Sequence, residues 1–227
     1  MTEANAPKLR PQYITFDLYG TLTYFQMSNL TRDIFADRID PDRMDAFLRD
    51  FSFYRYDEVL GPWQPYDTVI QNALRRTCER WEVGYREAEG HQLYHAIPSW
   101  GPHEDVPEPL AQVAQSFPLV ILSNASDDQI QSNVAKLGAP VHAVYTSQQA
   151  QAYKPRLQAF EFMLDRLGCG PDDILHVSAS VRYDLMSAYF LGVQNKVFVN
   201  RGYDPPIPDY AYHEIKDLRG LPKLLGL

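Results

Sequence analysis

Polar side chains stand at four points of this sequence where an apolar, strand-like run ends or a helical pattern begins. They are Asp17 after YITF, Ser123 and Asn124 in VILSN, Lys154 in AYKP, and Asp184 in RYDL. A carboxylate can act as a nucleophile, and a neighbouring ammonium group favours its ionised form. Each residue alone is more often a turn residue, a helix cap or a solvated side chain. In this order and at these places, the four features together predict an active site built on strand ends.

The elements that must position these residues are short strands alternating with helices. Runs rich in Val and Ile predict strands over residues 13–17, 118–123, 143–146, 174–178 and 196–199. Helical spacing of apolar residues predicts helices over 108–117, 157–168 and 183–192. The alternation predicts a three-layer α/β fold with a Rossmann-like parallel sheet. Ligands of such sheets bind outside the carboxyl ends of the strands, where the polar residues are expected.

A long segment after the first strand breaks this alternation. It carries helical patterns over 28–57 and 66–83, many aromatic residues and no clear strand. We therefore expect an α/β core domain of residues 1–23 and 106–227, beginning with a loose leader, and a helical cap domain of residues 24–105. A cap that leaves the core just after the first strand would lie above the site and could cover it.

Composition limits the classes of function. The chain has 227 residues, 45% of them hydrophobic, and a net charge of −8, which fits one large core with a smaller insertion and argues against nucleic-acid binding. Cys78 and Cys169 are far apart and read as structural thiols of a reduced compartment. No apolar run resembles a signal peptide or a membrane span, so we expect a cytoplasmic protein without membrane partners.

The polar residues resemble the motifs of the haloacid dehalogenase (HAD) superfamily. Asp17 matches the nucleophile of the motif DxxGTL, and Thr21 matches its supporting threonine. Ser123, Lys154 and Asp184 match the second, third and fourth motifs of the superfamily. The resemblance implies a HAD-like fold, in which a Rossmann-like core carries an inserted cap.

Two positions distinguish branches of this superfamily. Phosphatase members usually carry a second aspartate two residues after the nucleophile and a further acid in the fourth motif, where this chain has Tyr19 and Ala179. Mg²⁺ needs several hard oxygen ligands, which Asp17 and Asp184 alone supply poorly. The stretch FDLYGTL instead resembles the L-2-haloacid dehalogenases, which implies an enzyme that needs no metal or other cofactor.

The resemblance implies a mechanism in two steps. Asp17 displaces halide from C2 of a short 2-haloalkanoic acid, and water then hydrolyses the resulting ester to a 2-hydroxy acid of inverted configuration. Lys154 keeps the nucleophile ionised and could hold the substrate carboxylate, and Asp184 could orient Lys154 or the attacking water. Ser123 and backbone N–H groups at the strand ends could also bind the substrate carboxylate.

The remaining contacts to substrate and halide are expected from the same resemblance. Leu18, Tyr19, Asn124 and Ser180 are expected beside the substrate. The halide needs a cation on the cap, and we choose Arg49, which lies 32 residues after Asp17 in a helical stretch. A solvated surface arginine is about as probable at position 49, and Arg55 among aromatic neighbours is the competitor.

Three positions depart from the dehalogenase pattern or lie outside it. Typical members carry an asparagine in the fourth motif, where Ser180 is the nearest candidate, and a tyrosine at the position of Phe160. Both departures lie at the positions where the resemblance expects contacts with the substrate or the hydrolytic water. His176 is expected to be a core histidine that is hydrogen-bonded to the backbone.

Two further hypotheses remain open beside a dehalogenase with a 2-haloacid and halide as its small-molecule partners. One is a phosphatase or another C–X hydrolase that acts through Asp17 on a non-halogenated substrate. The other is a binding protein without activity, against which the retention of Asp17, Ser123, Lys154 and Asp184 argues. The resemblance also leaves a homodimer as an open expectation.

Overall fold

A computed structural model describes residues 10–227 and shows a six-stranded, wholly parallel sheet in the order β3-β2-β1-β4-β5-β6. The strands are β1 Tyr13–Phe16, β2 Leu119–Ser123, β3 Ala143–Thr146, β4 Ile174–Ser178, β5 Asn195–Val199 and β6 His213–Ile215. The predicted α/β fold is therefore confirmed. Most of the expected leader lies outside the described residues.

The strand β1 lies between β2 and β4, and its register brings the predicted site residues to one edge. Phe16 pairs with Ile121 of β2 and with Val177 of β4. All strands run in the same direction, so Asp17 follows β1 at the carboxyl edge of the sheet, close to Ser123 at the end of β2. The site is thus built where the central strands stop.

Helices cover both faces of the sheet. They are α5 Pro107–Ala114, α6 Asp127–Val134, α7 Ser147–Ala150, α8 Leu157–Leu167, α9 Met186–Phe190 and α10 Gly220–Leu225. Ile121 packs on the face of α5, α6 and α10, whereas Val120 and Leu122 pack on the face of α8 and α9. This alternation along β2 makes the three layers of the core.

Four of the five helices between β1 and β2 lie in the segment where the sequence predicts an insertion. They are α1 Met27–Phe35, α2 Pro41–Leu60, α3 Tyr66–Arg80 and α4 Glu87–Ala96. The continuous helix expected over 28–57 is wrong, because Pro41 begins a new helix at the one position where its missing N–H costs nothing. No helix among residues 10–227 is long and apolar enough to cross a membrane.

The insertion packs around its own aromatic core and joins the sheet through two adjacent linkers. Phe47 and Phe51 are buried in that core, as expected for the aromatic residues of this segment. The N–H of Tyr24 donates to the carbonyl of Gly101 at 2.9 Å, so the chain enters and leaves the insertion side by side. The division into a core of 1–23 and 106–227 and a cap of 24–105 stays a prediction.

Other differences from the predicted elements have local causes. The strand β6 was missed because its three residues, HEI, form a half-exposed edge strand with no apolar run. The helix α4 contains Gly90, which weakens a helical pattern. The helix expected over 183–192 instead begins with a π-helical turn at Val181–Leu185 that leads into α9, and this turn carries Asp184.

Candidate active site

Lys154 lies at the centre of the candidate site and contacts the end of β2, the residue after β1 and the π-helical turn after β4. Its Nζ atom donates to Asp17 Oδ1 at 2.8 Å, to Asp184 Oδ1 at 2.7 Å and to the carbonyl of Leu122 at 2.8 Å. These contacts engage all three ammonium hydrogens, and the residue is only 1% exposed. The structure thus brings together three of the residues predicted from separate motifs.

The loop that carries Lys154 is held by the side chain of Asn124. The amide oxygen of Asn124 accepts from the backbone N–H of Lys154 at 2.7 Å, and its amide nitrogen donates to the Lys154 carbonyl at 2.8 Å. The Asn124 amide therefore satisfies both the backbone N–H and the backbone carbonyl of Lys154, as a neighbouring strand would do in a sheet. The predicted contact of Asn124 with substrate is not supported for this side chain, because both ends of the amide bind the lysine loop.

Asp17 is fixed on its other side by Thr21. The Thr21 hydroxyl donates to Asp17 Oδ2 at 2.7 Å and accepts from the backbone N–H of Ala179 at 2.8 Å. The turn that returns Thr21 to Asp17 passes through Gly20 at a φ of 87°, a conformation that suits glycine. Leu18 is buried in this turn, and its carbonyl accepts from the N–H of Leu22 at 2.8 Å. Both oxygens of Asp17 are thereby oriented.

The charges of the cluster shift one another's pKa values. Burial raises the pKa of the Asp17 carboxyl above its ordinary value, and Lys154 opposes that rise. Burial also raises the pKa of Asp184, but Lys154 and His176 outweigh it, so that this pKa lies below its ordinary value. Burial lowers the pKa of Lys154, but the two carboxylates outweigh it and raise the pKa. The lysine stays charged and is shared by two acids.

His176 belongs to this cluster, although the sequence suggested a histidine bonded to the backbone. Its Nε2 lies 3.0 Å from Asp184 Oδ1, and its Nδ1 lies 2.8 Å from Thr15 Oγ1. Both partners are side chains, so the expected backbone contact is wrong. The pairing of β1 with β4 places Thr15 opposite His176, and strand periodicity alone does not predict which polar neighbour it finds.

The hydroxyl of Tyr19 binds the core helix α6 and not Asp17. Its hydroxyl donates to Asn133 Oδ1 at 2.9 Å, and the Asn133 amide donates to the carbonyls of Ile97 and Trp100 at 3.0 and 2.9 Å. Burial raises the pKa of Tyr19, so its phenol stays neutral. The ring also packs edge-on against Trp100 at 5.8 Å between centroids. Tyr19 therefore links the core to the end of the insertion: its ring contacts Trp100, and its hydroxyl is hydrogen-bonded to Asn133.

The two serines predicted at the site differ in what they bind. Ser123 is 2% exposed, and its hydroxyl has no hydrogen-bond partner within residues 10–227. The Ser180 hydroxyl donates to Asp204 Oδ2 at 2.9 Å and accepts from the N–H of Tyr183 at 3.2 Å. The Ser123 hydroxyl is therefore available to a ligand. Ser180 caps the π-helical turn, so the predicted substrate contact is not supported for its side chain.

The two candidate arginines lie on different faces of α2. Arg49 is exposed. Arg55 is 8% exposed, its guanidinium lies 5.1 Å from the ring centre of Phe25 and 4.9 Å from that of Phe51, and its Nε has no partner in the described part of the chain. Burial raises the pKa of Tyr183, and the Arg55 guanidinium opposes that rise. The ring of Tyr56, the next residue of α2, packs edge-on against Tyr183 at 5.1 Å between centroids, so this part of α2 lies beside the turn that carries Asp184. Of the two arginines, Arg55 is the buried one.

A cleft opens between the insertion and the strand ends. Its volume is about 300 Å³, and it is lined by Trp63 and Tyr66 of the insertion and by Ser126 and Tyr153 of the core. Tyr153 precedes Lys154, so one wall of the cleft continues into the loop that holds the lysine. Phe160, where a tyrosine was expected by resemblance, is buried against the His176 ring at 4.9 Å between centroids.

The oxygen donors of the site fit Mg²⁺ poorly. Within residues 10–227, no group of three His, Cys, Asp or Glu side chains lies close enough together to hold a metal ion. The two carboxylates that could serve, Asp17 and Asp184, both have one oxygen engaged by the ammonium of Lys154. A divalent cation at this place would meet a positive charge in the position where it needs a ligand.

The fold and the site together place a buried carboxylate and its lysine partner at the carboxyl edge of a parallel sheet. A family model described as haloacid dehalogenase-like hydrolase matches residues 11–188. The chain therefore belongs to that family, as the motifs predicted.

Three proteins to which the chain is similar carry the name 2-haloacid dehalogenase. The (S)-2-haloacid dehalogenase 4A of Burkholderia cepacia is 28% identical over 169 residues, which are 72% of this chain and 71% of that protein. The (S)-2-haloacid dehalogenase 2 of Pseudomonas sp. (strain CBS-3) is 25% identical over 94% of this chain and 95% of its own length. The structure of L-2-haloacid dehalogenase from Xanthobacter autotrophicus with chloropropionic acid covalently bound has a TM-score of 0.77 at 20% identity, with 95% of this chain and 98% of that chain covered.

Proposed function

We propose that this protein is a hydrolytic dehalogenase that converts short L-2-haloalkanoic acids into 2-hydroxy acids and halide without a metal. The observation that carries the proposal is the buried ion pair between Lys154 Nζ and Asp17 Oδ1 at 2.8 Å. It gives a carboxylate nucleophile its counter-ion from the protein itself. The curated relatives named as (S)-2-haloacid dehalogenases support the substrate class.

Asp17 carries out the first step in this proposal. Its carboxylate attacks C2 of the haloacid, an ester bond forms between Asp17 and C2, and the carbon–halogen bond breaks with its electron pair on the halide. Because the attack displaces the halide from the opposite side, the configuration at C2 inverts. The solved dehalogenase with chloropropionic acid covalently bound supports a covalent step of this kind. Thr21 and Lys154 hold the carboxylate in place.

Arg55 is the cation that we assign to the leaving halide. It is buried between Phe25 and Phe51, and these rings leave its charge poorly hydrated. A developing anion gains more from a fixed, desolvated cation than from one in water. We no longer assign this role to Arg49, because it is exposed.

The substrate carboxylate is assigned to Ser123 and to the backbone of the turn at Leu18 and Tyr19. The Ser123 hydroxyl is buried without a partner, which is costly unless a ligand supplies one. All three hydrogens of Lys154 are already engaged, so the lysine acts on Asp17 and not as the main anchor of the substrate.

Asp184 is assigned to the second step. One of its oxygens binds Lys154 and His176, and the other, Oδ2, is buried without a partner in residues 10–227. Oδ2 can take the proton of a water that attacks the carbonyl carbon of the Asp17 ester. The 2-hydroxy acid then leaves, and the net reaction releases one proton.

Halide release from L- and D-2-chloropropionate and from chloroacetate, with EDTA present, tests the proposal. We expect release from the L-isomer that is absent in Asp17→Asn. No release from any of the three acids contradicts the assignment, and phosphate esters with Mg²⁺ are then the next substrates to assay. A cytoplasmic location and a homodimer stay predictions, which fractionation and light scattering would test.

A further inference from the structure

His176 stands in the middle of β4 on the sheet face that packs against α8. It is fully buried, and Phe160 closes over its ring edge-on at 4.9 Å. Both ring nitrogens are engaged by side chains, Nδ1 with Thr15 at 2.8 Å and Nε2 with Asp184 at 3.0 Å. No water, substrate or exposed surface is needed to explain the two polar contacts of this histidine.

The partners of His176 determine where its proton resides. Asp184 has a lowered pKa, so its carboxylate can only accept, and the proton must be on Nε2. The Thr15 hydroxyl has one hydrogen, and Nδ1 at 2.8 Å is a better acceptor for it than the Leu175 carbonyl at 3.5 Å. Nε2 therefore carries a proton that it donates to Asp184, and the Thr15 hydroxyl holds the opposite side of the ring.

The proton on Nε2 determines which oxygen of Asp184 remains free to accept a proton from water. His176 Nε2 and Lys154 Nζ both donate to Oδ1, at 3.0 and 2.7 Å. The three hydrogens of Lys154 are all engaged, so the lysine has none left for Oδ2. Oδ2 is consequently a buried acceptor without a partner in the described part of the chain. A carboxylate held by two donors on one oxygen cannot easily rotate to exchange its two oxygens.

We propose that His176 is a positioning residue for the hydrolytic step, which holds Asp184 so that Oδ2 stays free for the attacking water. This inference rests on the proposed function. In the step, the water oxygen bonds to the carbonyl carbon of the Asp17 ester and one water hydrogen passes to Asp184 Oδ2. The bond from that carbon to the ester oxygen then breaks, and the departing 2-hydroxy acid takes the proton from Oδ2. His176 keeps its own proton on Nε2 throughout.

Three variants separate positioning from packing. His176→Phe keeps an aromatic ring against Phe160 but removes both hydrogen bonds. His176→Gln places an amide N–H at a similar reach, so it can restore the bond to Asp184. Thr15→Val keeps the shape of the threonine and removes only the hydroxyl that selects the tautomer, and it serves where His176→Phe fails to fold.

The kinetic test follows halide and product separately after rapid mixing with L-2-chloropropionate. In His176→Phe we expect halide to be released in a burst of one per active site at the wild-type rate, followed by turnover at least about tenfold slower. Intact-protein mass spectrometry should then show the Asp17 ester accumulating, and His176→Gln should recover part of the turnover. Equal losses in burst amplitude and turnover, or no loss in either, would overturn the proposal.

A second readout does not need a substrate. Long-range ¹⁵N NMR of the histidine rings should show the proton of His176 on Nε2 in the free protein, and Thr15→Val should lower the share of that form. An Nδ1–H ring would overturn the positioning role. If the wild-type protein releases no halide, the proposed function fails by itself, and the NMR result still decides whether His176 holds Asp184 in this way.

Discussion

Lys154 Nζ lies 2.8 Å from Asp17 Oδ1 in a part of the protein where the lysine is 1% exposed. The proposed nucleophile and its counter-ion are thus both buried. Burial raises the pKa of Asp17, and the ammonium of Lys154 is the main group that lowers it, with a smaller contribution from the Thr21 hydroxyl.

Replacing the lysine by an uncharged side chain of similar length should damage activity and stability together. Lys154→Met leaves Asp17 and Asp184 buried without a cation, which we expect to cost about 3–5 kcal/mol of stability. Halide release should fall on the order of 10³-fold. Urea unfolding and halide release measure the two effects. Lys223→Met at an exposed position is the matched control, and an equal effect of both variants would argue against the central role of Lys154.

The two arginines of α2 offer a direct comparison on one helix. Arg55→Met should lower kcat on the order of 100-fold, because the leaving halide loses its cation. Arg49→Met should stay near the wild-type rate, because that side chain is exposed. Steady-state halide release from L-2-chloropropionate and L-2-bromopropionate measures both. A larger loss of kcat in Arg49→Met than in Arg55→Met would indicate that Arg49 binds the halide.

The two serines should separate substrate binding from stability. Ser123→Ala should raise KM about tenfold or more, because a hydrogen bond to the charged substrate carboxylate is lost. Ser180→Ala should leave KM unchanged and lower stability by about 1 kcal/mol, because its hydroxyl caps the turn that carries Asp184. KM values and urea midpoints of both variants are the measurements. A rise in KM for Ser180→Ala would place that serine at the substrate after all.

The pH dependence follows from the shifted groups of the cluster. Protonated Asp17 cannot attack carbon. Because its pKa is raised above the ordinary carboxyl value of 3.8, single-turnover halide release should decline on acidification, and the midpoint of that decline should lie above pH 3.8. Lys154 has a pKa above its ordinary 10.5, so no alkaline decline should occur below that pH. Circular dichroism over the same range separates titration from unfolding. An alkaline decline near neutrality would contradict a lysine that both acids keep charged.

Residues that share one edge of the sheet were predictable from the sequence. Apolar runs ending in Asp17 and Ser123, and a third run that shortly precedes Asp184, indicate parallel strands, and such strands present their carboxyl ends together. Lys154 followed from its order in the set of motifs. Strand periodicity and strand ends are local features of the sequence, so they can be recognised without knowing which strands pair.

Contacts that depend on distant pairing were not predictable. His176 meets Asp184 only because the π-helical turn brings that acid back over β4, and apolar periodicity carries no signal for such a turn. The choice between Arg49 and Arg55 depends on which face of α2 turns toward the core. That face is determined by packing with the other helices, since the aromatic residues of α2 lie on both sides of it.

The origin of the oxygen in the first product molecule tests the central claim, a covalent ester on Asp17, most directly. Enzyme in excess over L-2-chloropropionate, in water enriched in ¹⁸O, allows each molecule to turn over once. We predict that the label enters the peptide containing Asp17, and that the hydroxyl oxygen of the first 2-hydroxypropionate is unlabelled. Label in that hydroxyl group, with none in the peptide, would mean that water attacks C2 directly and would contradict the account.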